Sequence, residues 1–185
     1  MKPIAEMSIG ELAAFVCSHL QKHGIEVVLT GGGCVEIYSS GKYFSFDLDF
    51  IENVPAGGRK LGKVLGEIQF TRKNRYYVHP ETEYFLEFPV GPLSVGSEQP
   101  FEISVLKYDT GELRALSPTD CVKDRLAAYY HWKDTESLEQ ALLVSVSSEV
   151  NFSEIERWSH SEGCDTEYDH FHNLVQTRIK NSAGK

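Results

Sequence analysis

No stretch of the 185-residue sequence approaches the roughly 18 consecutive apolar residues that a membrane-spanning helix requires. A secretory signal is not expected either, because Glu6, Glu11 and His19 interrupt the first twenty residues where such a signal needs an unbroken apolar run. Cysteine is scarce: Cys17, Cys34, Cys121 and Cys164 lie far apart and form no Cys-x-x-Cys pair, so neither a disulfide framework nor a zinc knuckle is indicated. An excess of positive charge is also missing. With 18 Lys and Arg against 27 Asp and Glu, the net charge of −9 argues against a wholly basic nucleic-acid-binding surface. There is no internal repeat and no low-complexity segment. What remains is the expectation of a soluble, cytoplasmic, globular chain with no membrane partner.

The apolar share of 41% and the length suffice for a real core, in one α/β domain with a helical appendage. Charge is unevenly spread. Arg59, Lys60, Lys63, Arg72, Lys73 and Arg75 stand against the single acid Glu67, whereas residues 134–169 hold ten acids and one base, Arg157. Each segment reads most simply as a solvated face; the basic one also reads as the border of a phosphate site.

Ser8 with Glu11 three residues on is a capping box, and Leu12, Phe15, Val16 and Leu20 make one helical apolar stripe that Gly24 ends. Ile25 to Leu29 reads as a buried strand running into three glycines, with a short helix over Cys34–Tyr38 after them. Phe44 to Ile51 alternates as a strand, with Phe44, Phe46, Leu48 and Phe50 on one face and Ser45, Asp47, Asp49 and Ile51 on the other. Residues 56–67 look helical, and short strands are expected around 68–72, 75–79, 84–89 and 101–107. The character changes at Ser117-Pro118, a strong helix start, after which helical patterns run to 131 and over 135–148, 153–161 and 166–180. Asn181 to Lys185 are expected to fray. The fold class is therefore α/β (α+β): a mixed sheet with flanking helices over residues 1–115, then a helical bundle over 116–180.

Chemistry concentrates at two places. Asp47 and Asp49, two apart on one strand, point the same way, and two anions facing one side repel unless a cation sits between them. A hard divalent ion with oxygen ligands suits them, and Mg²⁺ completes its shell with water and substrate phosphates. Gly31-Gly32-Gly33, between a strand and a helix, leaves backbone N–H groups free to bind phosphate oxygens. Elsewhere, the spacing of His160, Cys164, His170 and His172 fits no standard zinc pattern. Tyr129, Tyr130, Trp132 and Trp158 suit core packing better than base stacking, and Cys34 reads as a small packing residue.

Leu29-Thr-Gly-Gly-Gly-Cys-Val35 followed by Phe44-Ser-Phe-Asp-Leu-Asp-Phe50 resembles the signature of the DNA polymerase β-like (minimal) nucleotidyltransferases. Leu116-Ser-Pro-Thr-Asp-Cys-Val-Lys-Asp-Arg-Leu-Ala-Ala128, then Trp132-Lys-Asp134 and Val150 to Trp158, resembles the helical region of the AbiEii-like toxin branch. The resemblance spans roughly residues 10–175, with the glycine and Asp-x-Asp parts the most diagnostic. Tyr43 and Ser45 stand where relatives often carry Arg and Thr, and Arg125 where they often carry Lys.

The resemblance implies a nucleotidyltransferase-like sheet. It implies Mg²⁺, or Mn²⁺ in its place, on Asp47 and Asp49, with Glu87 as a third carboxylate. Gly31, Gly32 and Gly33 would hold the triphosphate, Ser45 would add a hydrogen bond, and Lys123, Arg125 or Lys133 would supply positive charge. The implied activity moves a nucleoside monophosphate from an NTP such as ATP to a hydroxyl of a protein, an RNA or a small molecule. A toxin–antitoxin setting would add a partner regulator protein. The alternative is a catalytically degenerate relative that serves as a nucleotide-binding or protein-interaction module.

Overall fold

The computed structural model describes residues 2–183. A 3₁₀ turn at Ile4–Glu6 precedes α1 (Ile9–Lys22), which opens with the reciprocal Ser8–Glu11 capping box. It closes at Gly24, in the left-handed region at φ +68°, where the N–H groups of Gly24 and Ile25 donate to the carbonyls of Gln21 and Leu20. Then follow β1 (Val27–Thr30), α2 (Gly31–Tyr38), β2 (Asp47–Glu52), α3 (Gly58–Gly66), β3 (Thr71–Lys73), β4 (Tyr76–Val78), β5 (Phe85–Glu87), β6 (Ile103–Tyr108) and β7 (Gly111–Leu116). Four helices end the chain: α4 (Pro118–Trp132), α5 (Thr135–Ser147), α6 (Phe152–Ser161) and α7 (Asp165–Ala183).

The strands form one mixed sheet of seven in the order β3-β4-β5-β2-β1-β7-β6. Its centre is antiparallel between β1 and β2, and parallel where β2 meets β5 and β1 meets β7. Leu48 and Phe50 of β2, Val27 to Leu29 of β1, and Leu113 and Ala115 of β7 are fully buried, as are Leu12, Val16 and Leu20 of α1, so α1 closes this part of the core. α4 packs against α5 and against α2, which ties the terminal helices to the glycine end of the sheet. The fold class expected from the sequence is the one observed.

Several details differ. The second strand begins only at Asp47, and Phe44 and Phe46 are exposed. The N–H of Ser45 donates to the buried Glu36 carboxylate (2.6 Å) rather than to a neighbouring strand, and sheet bonding resumes at the Phe46 carbonyl, which accepts the Phe85 N–H (2.9 Å). Strand β7 was not expected. Its Glu-Leu-Arg-Ala-Leu run is made of good helix formers, yet it pairs along its whole length with β6 across the Asp109-Thr110 turn, and its far edge meets β1 at Leu29 opposite Ala115. The three glycines do not form a separate turn but make the first turn of α2. The terminal helix continues through Ala183 where fraying was expected from Asn181; Gly184 and Lys185 lie outside the described residues.

Candidate active site

Register brings the carboxylates together. Asp47 and Asp49 project from the same face of β2, and the parallel pairing of β2 with β5 sets Glu87 directly beside Asp49. On the other side β1 delivers Thr30 opposite Asp49, and α2 begins at once. Burial, and then the charges of Asp47 and Glu87, push the Asp49 carboxyl up to about 7, against a smaller opposing pull from Arg125. Three acidic groups are thus held in one place although their mutual repulsion opposes it.

The start of α2 is built around Asp49. Gly31 sits at φ +66°, and a Cβ there would run into the Asp49 carboxylate. At Gly32 a Cβ would stand 2.7 Å from the Ser45 hydroxyl oxygen. Ser8, Ser117, Asp134 and Asn151 cap their helices with side-chain bonds, but Thr30 makes no such bond to α2. Its hydroxyl instead donates to the Asp49 carbonyl (3.3 Å), which leaves the first N–H groups of α2 without a side-chain acceptor. Gly31→Ala combines a left-handed backbone with a steric conflict. It is expected to cost about 1–3 kcal/mol and to lower the melting temperature by several degrees in a thermal denaturation experiment.

Thr30, Gly31, Asp49, Glu87, Asp124 and Arg125 line a cleft of about 340 Å³. Ser45 is buried, with its hydroxyl donating to the Asp47 carboxylate and so orienting that side chain. Of the three basic residues expected to contribute, only Arg125 lines the cleft. Burial opposes its charge, yet the adjacent Asp124 carboxylate, bonded to it, raises its pKa above the ordinary value; a further bond runs to Gln140 (3.3 Å).

Lys123 is turned into the protein. Its ammonium is fully buried and donates to Asp120 (3.1 Å) and Glu154 (3.0 Å). Lys133, in left-handed conformation at the end of α4, pairs with Glu167 (2.8 Å) and does not line the cleft. Helical geometry separates Lys123 from Arg125, because residues two apart face roughly opposite ways on a helix with 3.6 residues per turn. The basic segment contributes one contact here, Arg75 to Glu87 (3.4 Å).

Asp124 was missed in the sequence. Its place beside Arg125 was the available signal, but nothing local shows which side of α4 faces β2. Trp132 differs as well: Trp158 and Tyr130 are buried and stacked at 5.6 Å, as expected of core aromatics, whereas Trp132 is 76% exposed. With His131 it lines a second hollow of about 510 Å³ that shares Ser94, Asp124 and Arg125 with the first. Cys34 is a packing residue, fully buried with its thiol donating to the Leu29 carbonyl (3.2 Å).

Hard carboxylate oxygens, mutual repulsion and a raised Asp49 pKa fit a divalent cation. The oxygens are not yet gathered around one point: they do not all lie within 4.8 Å of one another, since Asp47 is turned to Ser45 and Glu87 to Arg75. Glu87 would have to leave Arg75 to join the other two.

No protein-family model matches the chain, and no curated protein matches it in sequence. Its fold is similar to the crystal structure of an antigenic nucleotidyltransferase-like protein from Paracoccidioides brasiliensis, at 16% identity over 98% of this chain and 94% of that one, with a TM-score of 0.53. It also aligns with the solution structure of the antibiotic-resistance factor ANT(2'')-Ia, at 11% identity over 92% of this chain and 95% of that one, with a TM-score of 0.44. The chain has a nucleotidyltransferase-like fold.

Proposed function

We propose that the chain is a Mg²⁺-dependent nucleotidyltransferase that moves a nucleoside monophosphate from an NTP to a hydroxyl of a protein, an RNA or a small molecule. The observation that supports this most is the in-register pair Asp49–Glu87, set against the uncapped, glycine-built N-terminus of α2. Gly31, at the start of that helix, lines one cleft with Asp49 and Glu87, while Asp47, Gly32 and Gly33 lie beside these residues in the chain and do not line it.

Asp47, Asp49 and Glu87 would hold the ion, which supplies Lewis-acid neutralisation of phosphate charge and acidifies a hydroxyl next to it. The backbone N–H groups of Gly31, Gly32 and Gly33 hold phosphate oxygens. Ser45 keeps Asp47 oriented, and Arg125 faces the charge that builds on the departing pyrophosphate. Glu87, at the β5 side of the cleft, accepts the proton of the attacking hydroxyl.

The Arg75–Glu87 contact favours a second reading, in which the third carboxylate is withdrawn and the protein only binds nucleotide. A partner regulator, as in a toxin–antitoxin pair of the AbiEii-like kind, is part of the proposal on the sequence resemblance alone. The deciding assay incubates α-radiolabelled ATP, CTP, GTP and UTP with Mg²⁺, the protein and cell-extract fractions, beside Asp47→Ala/Asp49→Ala. Label transferred by the wild type alone supports the enzyme. NTP binding without transfer supports the second reading, and neither binding nor transfer overturns both.

Metal affinity should report the raised Asp49 pKa. Asp49 must lose its proton to bind a cation, so apparent Mg²⁺ affinity is expected to fall about tenfold per pH unit below about 7 and to level off above it. Isothermal titration from about pH 5.5 to about 8.5 measures this, and a flat profile would contradict it.

A further inference from the structure

Outside the cleft, α1 and α3 bring their C-terminal ends together. His19 and His23 are four apart on α1 and its cap, hence on one face. Glu67 caps α3 opposite them, with its Oε2 3.6 Å from His19 Nε2 and 3.1 Å from His23 Nε2. The Val64 carbonyl of α3 lies 3.0 Å from His19 Nε2. Among the described residues, this is the one set of three His, Cys, Asp or Glu side chains whose ligand atoms all lie within 4.8 Å of one another.

The surroundings favour a cation. Two helix C-termini converge, each carrying partial negative charge on its last carbonyls. Two imidazoles and one carboxylate form a borderline donor set that suits Zn²⁺ and its neighbours, whereas Mg²⁺ prefers oxygen alone. The geometry points to a transition-metal site, with Zn²⁺ as its occupant, that clamps α3 to α1. Both histidines coordinate through Nε2 with the proton on Nδ1, so His19 gives up its bond to the Val64 carbonyl. Glu67 supplies the third ligand, and water or that carbonyl completes a tetrahedron. None of the three side chains lines the nucleotide cleft, so the site stands whether or not the chain transfers nucleotides.

Direct titration of tag-free protein with Zn²⁺ in excess Mg²⁺, with Co²⁺ absorption as a spectroscopic signature of the nitrogen ligands, tests this. One Zn²⁺ per chain is expected in the wild type and equally in Asp47→Asn/Asp49→Asn. His23→Ala and Glu67→Gln, both at surface positions, are expected to weaken binding by at least about tenfold and to remove the rise in melting temperature that Zn²⁺ gives the wild type. The proposal is overturned if the double aspartate variant binds no Zn²⁺. Unchanged binding by both His23→Ala and Glu67→Gln overturns it as well.

Discussion

Asp49→Asn is expected to reduce nucleotidyl transfer by about a thousandfold or more, and to make the metal-free protein more stable at neutral and alkaline pH. The first effect follows from the proposed function, in which Asp49 is a central cation ligand, since several kcal/mol of lost charge stabilisation corresponds to about three powers of ten in rate. The second follows from the environment of the same carboxyl. In the folded protein its pKa is raised from an ordinary 3.8 to about 7, so the fold holds a proton that the unfolded chain releases. That stabilisation is complete below about pH 4 and is lost as pH rises through about 7. Asparagine carries no charge and escapes the loss, by on the order of 2–4 kcal/mol. Denaturant melts of the two proteins at acid and alkaline pH, with and without Mg²⁺, measure the effect. The curves should converge in acid and separate in base, and Mg²⁺ should narrow the gap by stabilising the wild type. A variant less stable than the wild type at high pH would show that Asp49 is not held at the expense of stability.

The largest loss of stability is expected from Lys123→Ala. Its buried ammonium is shared by Asp120 and Glu154. Asp120 also accepts the N–H groups of Phe101 (3.0 Å) and Glu102 (2.7 Å), which lead into β6. Arg157 and then Lys123 hold Glu154 at about 2, and Arg157 reaches on to Glu98. Removing the lysine alone leaves two carboxylates facing a void, a change that typically costs about 3–5 kcal/mol. The melting temperature should fall by roughly 10 °C or more. NTP affinity, measured by isothermal titration at a temperature where the variant remains folded, should stay within about twofold of wild type, because the side chain is turned away from the cleft. A selective loss of NTP binding with unchanged melting would restore Lys123 to the phosphate site.

Lys123 and Arg125 show where sequence reading stops. Both are basic, both lie on the helix announced by Ser117-Pro118, and both were candidates for the same task. Their spacing already required opposite directions, but which one meets the cleft depends on how α4 rests on α2 and α5. Glu87 differs: the family resemblance singled it out, and only the parallel register of β2 with β5 shows that it stands beside Asp49. His19 and His23 carried a legible four-residue spacing, yet their partner Glu67 comes from another helix.

The sequence by itself determined the local elements, because caps, glycines and apolar periodicity act within a few residues. Ser8–Glu11, Gly24, Ser117-Pro118, Asp134 and Asn151 mark helix ends through bonds to their own neighbours. It also put Asp47 and Asp49 on one face of a strand, since alternation is a property of extended backbone. Only the tertiary structure decided where β7 joins the rest of the sheet, the departure of Phe44 and Ser45 from regular pairing, and the company that Asp49 keeps. Those outcomes depend on contacts between segments far apart in the chain: β1 with β7, the Glu36 carboxylate with Ser45, and Asp124 and Arg125 across from β5.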